Sequence, residues 1–145
     1  MIGRAAQGKF TALVLGRHRL LIAQSDLRSL EAADDVDSKA PPQGGVGWIA
    51  AGSDYWPVYA LDDELQPSCA PARPRRACAL LSRGDKLFGV LCDDLQFLQH
   101  AAPTLYPLPA VMALPQTPLR GVVAWGDQRA ALTSAEALAS HLGAI

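Results

Sequence analysis

Four hydrophobic segments, each broken near its middle by a glycine-bearing turn, constrain this chain more than anything else in it. The first runs Phe10-Thr11-Ala12-Leu13-Val14-Leu15, turns at Gly16-Arg17-His18, and returns as Arg19-Leu20-Leu21-Ile22-Ala23. The second pairs Gly47 to Ala51 with Tyr55 to Tyr59 across Gly52-Ser53-Asp54. The third pairs Ala77 to Leu81 with Lys86 to Leu91 across Ser82-Arg83-Gly84-Asp85. The fourth pairs Val122 to Trp125 with Arg129 to Leu132 across Gly126-Asp127-Gln128. Arms of strand length around a residue free to take positive φ read as β-hairpins. The alanines of the fourth weaken its strand propensity without changing the pattern. The eleven prolines set the boundaries: apart from Pro57 they fall at Pro41-Pro42, Pro67 to Pro74 and Pro103 to Pro118. A residue without a backbone donor belongs in connections and at sheet edges, so these stretches separate the hairpins.

The hairpins also repeat. Shifting the first by 68 residues places Gly16 on Gly84, Leu20 on Phe88, Ile22 on Val90, Asp26 on Asp94, Leu27 on Leu95 and Leu30 on Leu98. Shifting the second by 74 places Gly47 on Gly121, Ile49 on Val123, Gly52 on Gly126 and Val58 on Leu132. Order and spacing recur along with residue type, so the chain reads as two copies of a two-hairpin unit. Neither copy holds enough strands to close a core alone, which points to a mainly β fold of two small barrels sharing an interface.

Helix is scarce. Ser25 to Leu30 reads as one helical turn capped by Ser25 or Asp26. Ser134 to Leu142 reads as a short C-terminal helix, capped by Ser134, with Leu138 and Leu142 on one face and Gly143 ending it. The polar stretch from Ala32 to Gly45 reads as a mobile loop. Met1 to Gly8 reads as a flexible tail ahead of a single domain over 9–145.

Composition excludes several function classes. At 145 residues, half hydrophobic and 19% charged, the chain has the apolar content of one folded domain. Its formal net charge of -1 argues against phosphate-backbone binding, which needs clustered cations. The one dense basic stretch, Arg73, Arg75 and Arg76, carries no aromatics and reads as a solvated linker. Three cysteines, Cys69, Cys78 and Cys92, form no CxxC pair, which fits a reducing compartment. Without an apolar leader or a membrane-length span, a cytoplasmic protein is expected.

Catalytic signatures are correspondingly thin. No phosphate-cradling glycine loop is present. His18, His100 and His141 each lack a second ligand at metal spacing and read as surface histidines. Asp34, Asp35 and Asp37 lack the glycine and distal glutamate of a calcium loop. Asp62-Asp63-Glu64 and Asp93-Asp94 read as polar capping, since adjacent side chains on an extended segment diverge. Cys92 is the sharpest nucleophile candidate. Its neighbours Asp93 and Asp94 would raise its pKa, and it follows an apolar strand, so it reads as a core cysteine. No metal or cofactor is expected.

From about Lys9 to Leu142 the four hairpins together resemble the CheW-like family. Phe10 to Gly16 looks like that family's first strand and turn, followed by Leu20-Leu21-Ile22-Ala23 and Leu27-Arg28-Ser29-Leu30. Gly47-Trp48-Ile49 with Trp56-Pro57-Val58-Tyr59-Ala60-Leu61 is similar to its "GVINLRG…PVIDL" region. Phe88 to Asp93 looks like its "GLVVD" strand, and Pro118 to Val123 like its "YIRGV" strand. The resemblance implies two packed five-stranded SH3-like barrels with a short C-terminal helix. It also implies a non-catalytic adaptor joining a chemoreceptor cytoplasmic domain to the regulatory domain of a histidine kinase. No nucleic acid and no direct membrane insertion are expected, and oligomeric state is left open. The chain departs from the pattern where the family's "NLRG" arginine falls on Gly52, an acidic residue on Ser29 and an aspartate on Ala60; glycine cannot supply the arginine's planar donors. Leu27, Ser29, Gly52, Tyr55, Trp56 and Tyr59 are the expected partner contacts. A self-associating structural module using Trp48, Tyr55, Trp56 and Tyr59 is the competing reading, and a cysteine-dependent enzyme the third.

Overall fold

All four hairpins form in the computed structural model, which describes residues 3–6, 8–70, 73–98, 103–113 and 117–144. The strands are β1 (Arg4–Ala5), β2 (Phe10–Leu15), β3 (His18–Ala23), β4 (Leu27–Ala32), β5 (Gly47–Ala51), β6 (Asp54–Tyr59), β7 (Ala77–Arg83), β8 (Lys86–Cys92), β9 (Asp94–Phe97), β10 (Thr104–Tyr106), β11 (Gly121–Trp125) and β12 (Gln128–Leu132), followed by helix α1 (Ala135–Leu142). Gly16, Gly52, Gly84 and Gly126 open the four hairpin turns at φ between +57° and +65°. Each turn has two residues with glycine first, the form whose twist matches the strands it joins.

Two curled sheets result, in the orders β1-β10-β11-β12-β3-β2-β9 and β4-β7-β8-β6-β5. In the first, β9 and β10 are successive in sequence yet lie toward opposite margins. In the second, Asp37, five residues beyond β4, exchanges hydrogen bonds of 2.8 and 2.9 Å with Trp48 of β5. The curls count seven strands and five, the first extended by β1 and by β9 and β10 as separate strands toward its two margins. The mainly β, two-barrel fold with a short C-terminal helix is thus present.

The repeat carries through to pairing. At an offset of 68, β2 and β3 fall on β7 and β8; at 74, β5 falls residue for residue on β11. The copies are interwoven: β3 of the first pairs in parallel with β12 of the second, and β6 of the first with β8 of the second. Leu21 lies opposite Leu132, and their repeat equivalents Gly89 and Val58 lie opposite each other.

This arrangement buries both faces of β2, β3, β7 and β8. One face fills a barrel: Ala12, Leu21, Val123 and Ala130 in the first, Ile49, Val58, Cys78 and Leu80 in the second. The other face, with Leu13, Leu15, Leu20, Ile22, Leu81, Phe88 and Val90, forms a layer between the barrels with Leu138 and Leu142 of α1. Each of these leucines and isoleucines contributes ~1.5–3 kcal/mol by leaving water. Double-sided burial explains why the hairpin arms read as continuous apolar runs rather than alternating ones. Gly89 is small for a packing reason, because a Cβ there would meet Cys78 Sγ at 2.6 Å.

α1 is fixed as its caps suggest. Ser134 Oγ accepts from Ala137 N at 3.0 Å, and Gly143, at φ +72°, lets Ala144 N reach Ala139 O at 2.8 Å. Asp26 Oδ2 adds a cap from across the fold, accepting from Ala135 N at 3.0 Å.

Several expectations are corrected. Only Gln24–Asp26 is helical, as a three-residue 3-10 turn, and Leu27–Ala32 is strand, because β7 offers an open edge. The stretch from Ala32 to Gly45 contains the 3-10 turn Ala33–Asp35 and the Asp37–Trp48 bridge. Arg4–Ala5, within the expected tail, pairs with β10. Arg75 is no solvated linker residue: its side chain is 5% exposed, and Nη1 donates to Asp93 Oδ2 at 2.7 Å. Asp93 Oδ2 also accepts from Gly16 N at 2.6 Å, so one carboxylate ties the β2–β3 turn to the β7 approach. Arg73 does sit at the surface, paired with Asp63 at 3.2 Å.

The interweaving and one buried hydroxyl each give a test. Residues 1–70 and 71–145, produced separately, each lack near-ultraviolet circular dichroism, and mixing restores the signal; an independently folded fragment would contradict the exchanged pairing. Thr11 Oγ1 is buried with no hydrogen-bond partner among the described residues, on the face of β2 that carries Leu13. Thr11→Val raises unfolding stability by ~1 kcal/mol in urea titration, and a loss of that size would mean the hydroxyl is satisfied.

Candidate functional site

The β5–β6 hairpin projects one strand face outward, and the residues there depend on its register. Trp48 lies opposite Pro57 and Ile49 opposite Trp56. Ile49 turns into the second barrel, and Trp56 packs against that cluster while its indole N–H donates to Ala51 O at 3.2 Å. The Trp48 N–H donates to Ala40 O at 2.7 Å, drawing the 40–44 segment over the hairpin. The result is an open groove of about 670 Å3. Trp48, Trp56, Pro57 and Tyr59 line it on the hairpin side, Pro42 to Gly44 and the β8 residues Lys86 and Leu87 flank it, and Leu142 and Gly143 close its end. Its chemistry is aromatic and apolar with one lysine, suited to holding an apolar side chain or a short segment of another protein.

The six expected contact residues are not all brought together. Trp56 and Tyr59 line the groove. Tyr59 is only 4% exposed, belongs chiefly to the interbarrel layer, and has its hydroxyl pKa raised by burial. That placement corrects its reading as a surface contact, since sequence alternation does not say which face of β6 turns inward. Tyr55 stands on the same hairpin, 69% exposed. Gly52 forms the hairpin tip at φ +65°, with open space where a Cβ would be. The turn itself demands glycine there, which gives the absence of an arginine a backbone reason. Leu27 and Ser29 lie on β4, separated from β6 by β7 and β8. Leu27 packs on the interbarrel layer, and Ser29 Oγ donates to Glu31 Oε1 at 2.9 Å. Sequence reasoning missed Pro57, Lys86, Leu87 and the 42–44 segment. The hairpin register was the available signal for Pro57; the rest come together only through the parallel β6–β8 pairing.

The titratable candidates have structural roles. His18 Nε2 donates to Asp63 O at 2.6 Å and His141 Nε2 to Leu65 O at 2.8 Å, so two elements clasp the turn after β6. Asp62 Oδ1 accepts from Glu64 N and Gln66 N, a local cap. His100 lies outside the described residues. Among the described residues no group of three or more His, Cys, Asp or Glu is placed to hold a metal, and no helix is long and apolar enough to cross a membrane. Cys78 and Cys92 sit on paired strands, one facing the barrel interior and the other the interbarrel layer. Burial pushes both thiols up to about 12, with Asp93 and Asp94 adding to the rise at Cys92.

No family model matches the chain, and no curated protein matches it in sequence. Chains of solved structures do match in fold, fourteen of them. Among these is the scaffolding protein TtCheW from Thermoanaerobacter tengcongensis, 12% identical, with 93% of this chain and 89% of that one covered at a TM-score of 0.65. The fold is CheW-like, and at that identity the likeness is one of architecture.

The cysteines give a direct test. In the native protein one thiol of three, the exposed Cys69, reacts with an aromatic disulfide reagent at pH 8, and the other two react only on unfolding. Fast native labelling of Cys92 would revive a nucleophilic role. Because both buried thiols are raised from the ordinary 9.0, their contribution to stability is whole below about pH 9 and is lost as pH climbs toward 12, so the melting temperature falls over that window.

Proposed function

We propose that the protein is a non-catalytic signalling adaptor of the chemotaxis type, acting through a single domain over 9–145. It docks the regulatory domain of a histidine kinase and the cytoplasmic domain of a chemoreceptor, in the cytoplasm, with contact residues of its own. The observation that carries this reading is the match of 93% of the chain to a scaffolding protein's two-barrel fold. The aromatic groove supports it: Trp and Tyr beside an apolar pocket are the residue types that dominate binding hot spots. Where the family's pattern has an arginine at the hairpin tip, Tyr55 and the Trp48–Pro57 surface take over as the partner contact.

Calorimetric titration of the full chain with the regulatory domain of the kinase encoded nearest to it tests this. Micromolar binding is expected, weakened about tenfold by Tyr55→Ala and by Lys86→Glu, which flank the groove without entering either core. No heat of binding at about 100 μM, together with a concentration-dependent dimer in sedimentation, would replace the adaptor with the self-associating module.

A further inference from the structure

The fold presents its groove twice. Shifting the β5–β6 hairpin by 74 residues and the β8 end by 68 carries Trp48 onto Val122, Pro57 onto Ala131, and Leu87 onto Arg19. These target residues line a second open groove, of about 680 Å3, over the β3–β12 seam of the first barrel. Tyr106, Pro107, Pro109 and Met112 flank it where Pro42 to Gly44 flank the first. One architecture therefore carries two unlike linings, aromatic on one barrel and small-residue on the other.

The second groove is also strongly basic. Arg17, Arg19 and Arg129 all line it, and no Asp or Glu does. None of the three has a carboxylate within ion-pair distance among the described residues, whereas Arg73 and Arg75 are paired elsewhere. Arg19 donates to Gln128 Oε1, a neutral partner. Its apolar lining includes Val122, Ala124 and Ala131, with Leu20 fully buried beneath. In a chain of net charge -1, three arginines with no ion-pair partner on one groove make a locally basic surface.

We propose that this groove is a docking site for an acidic segment of a partner protein, with its carboxylates on Arg17, Arg19 and Arg129 and an apolar side chain on the Val122–Ala131 lining. Guanidinium forks match carboxylates bidentately, which sets the geometry of each pair. The proposal extends the adaptor reading by giving it a second site of different chemistry, and it can fail without that reading failing.

The probe is a fluorescein-labelled synthetic peptide of about twelve residues, glutamates interrupted by leucines, titrated with the full chain and followed by anisotropy. Binding is expected to fall about tenfold in Arg17→Gln/Arg129→Gln, both exposed positions, and about tenfold between 50 and 500 mM salt. Tyr55→Ala, on the other groove, leaves it unchanged. Equal binding by the arginine double variant, or by a peptide with glutamine for glutamate, overturns the proposal. Tighter binding of a single-stranded oligonucleotide of equal charge overturns it in favour of a general polyanion surface. Absence of peptide binding beside intact kinase-domain binding removes the second site and leaves the adaptor standing.

Discussion

Two short parallel seams hold the molecule in its form. Leu20 and Leu21 of β3 lie beside Ala131 and Leu132 of β12, and Val58 and Tyr59 of β6 lie beside Gly89 and Val90 of β8. Each seam joins one sequence copy to the other, so each barrel takes strands from both. The hydrogen bonds in a seam are few, but their placement decides which residues face which core. Parallel pairing sets Leu20 and Phe88, equivalent by the repeat, on the interbarrel layer, and the barrel interiors follow by alternation. Without the exchange, β2, β3, β7 and β8 would each expose an apolar face.

The grooves are consequences of the same seams. Each lies over the junction of a closing hairpin with a strand of the other copy, and so collects side chains distant in sequence. Their different linings are possible because the outward faces of β5–β6 and β11–β12 take little part in closing the barrels. Selection on those faces is free to place tryptophan and proline on one and valine and alanine on the other while the inward residues stay apolar.

The repeated hairpins, the mainly β fold and the capped terminal helix were legible in the sequence because each rests on local chemistry: glycine at the turn, apolar arms, serine before a helix and glycine after it. What depended on distant partners was not. Leu27-Arg28-Ser29-Leu30 has leucines three apart, a helical spacing, and became strand because β7 offered an edge. Arg75 looked like part of a basic linker until Asp93 came beside it. Asp26 caps a helix that begins 109 residues later. Tyr59 carried an aromatic signal with no indication of its face, and the six expected contact residues were scattered between β4 and the β5–β6 hairpin for the same reason.

The exchanged seams also set the order in which the protein can be made. On the ribosome the first hairpin emerges early, yet β3 has no parallel neighbour until residues 128–132 have been synthesised. Through most of translation the nascent chain therefore carries Leu20 and Ile22 without the layer that covers them. A hydrophobic edge left waiting is the kind of surface chaperones shield and other nascent chains capture.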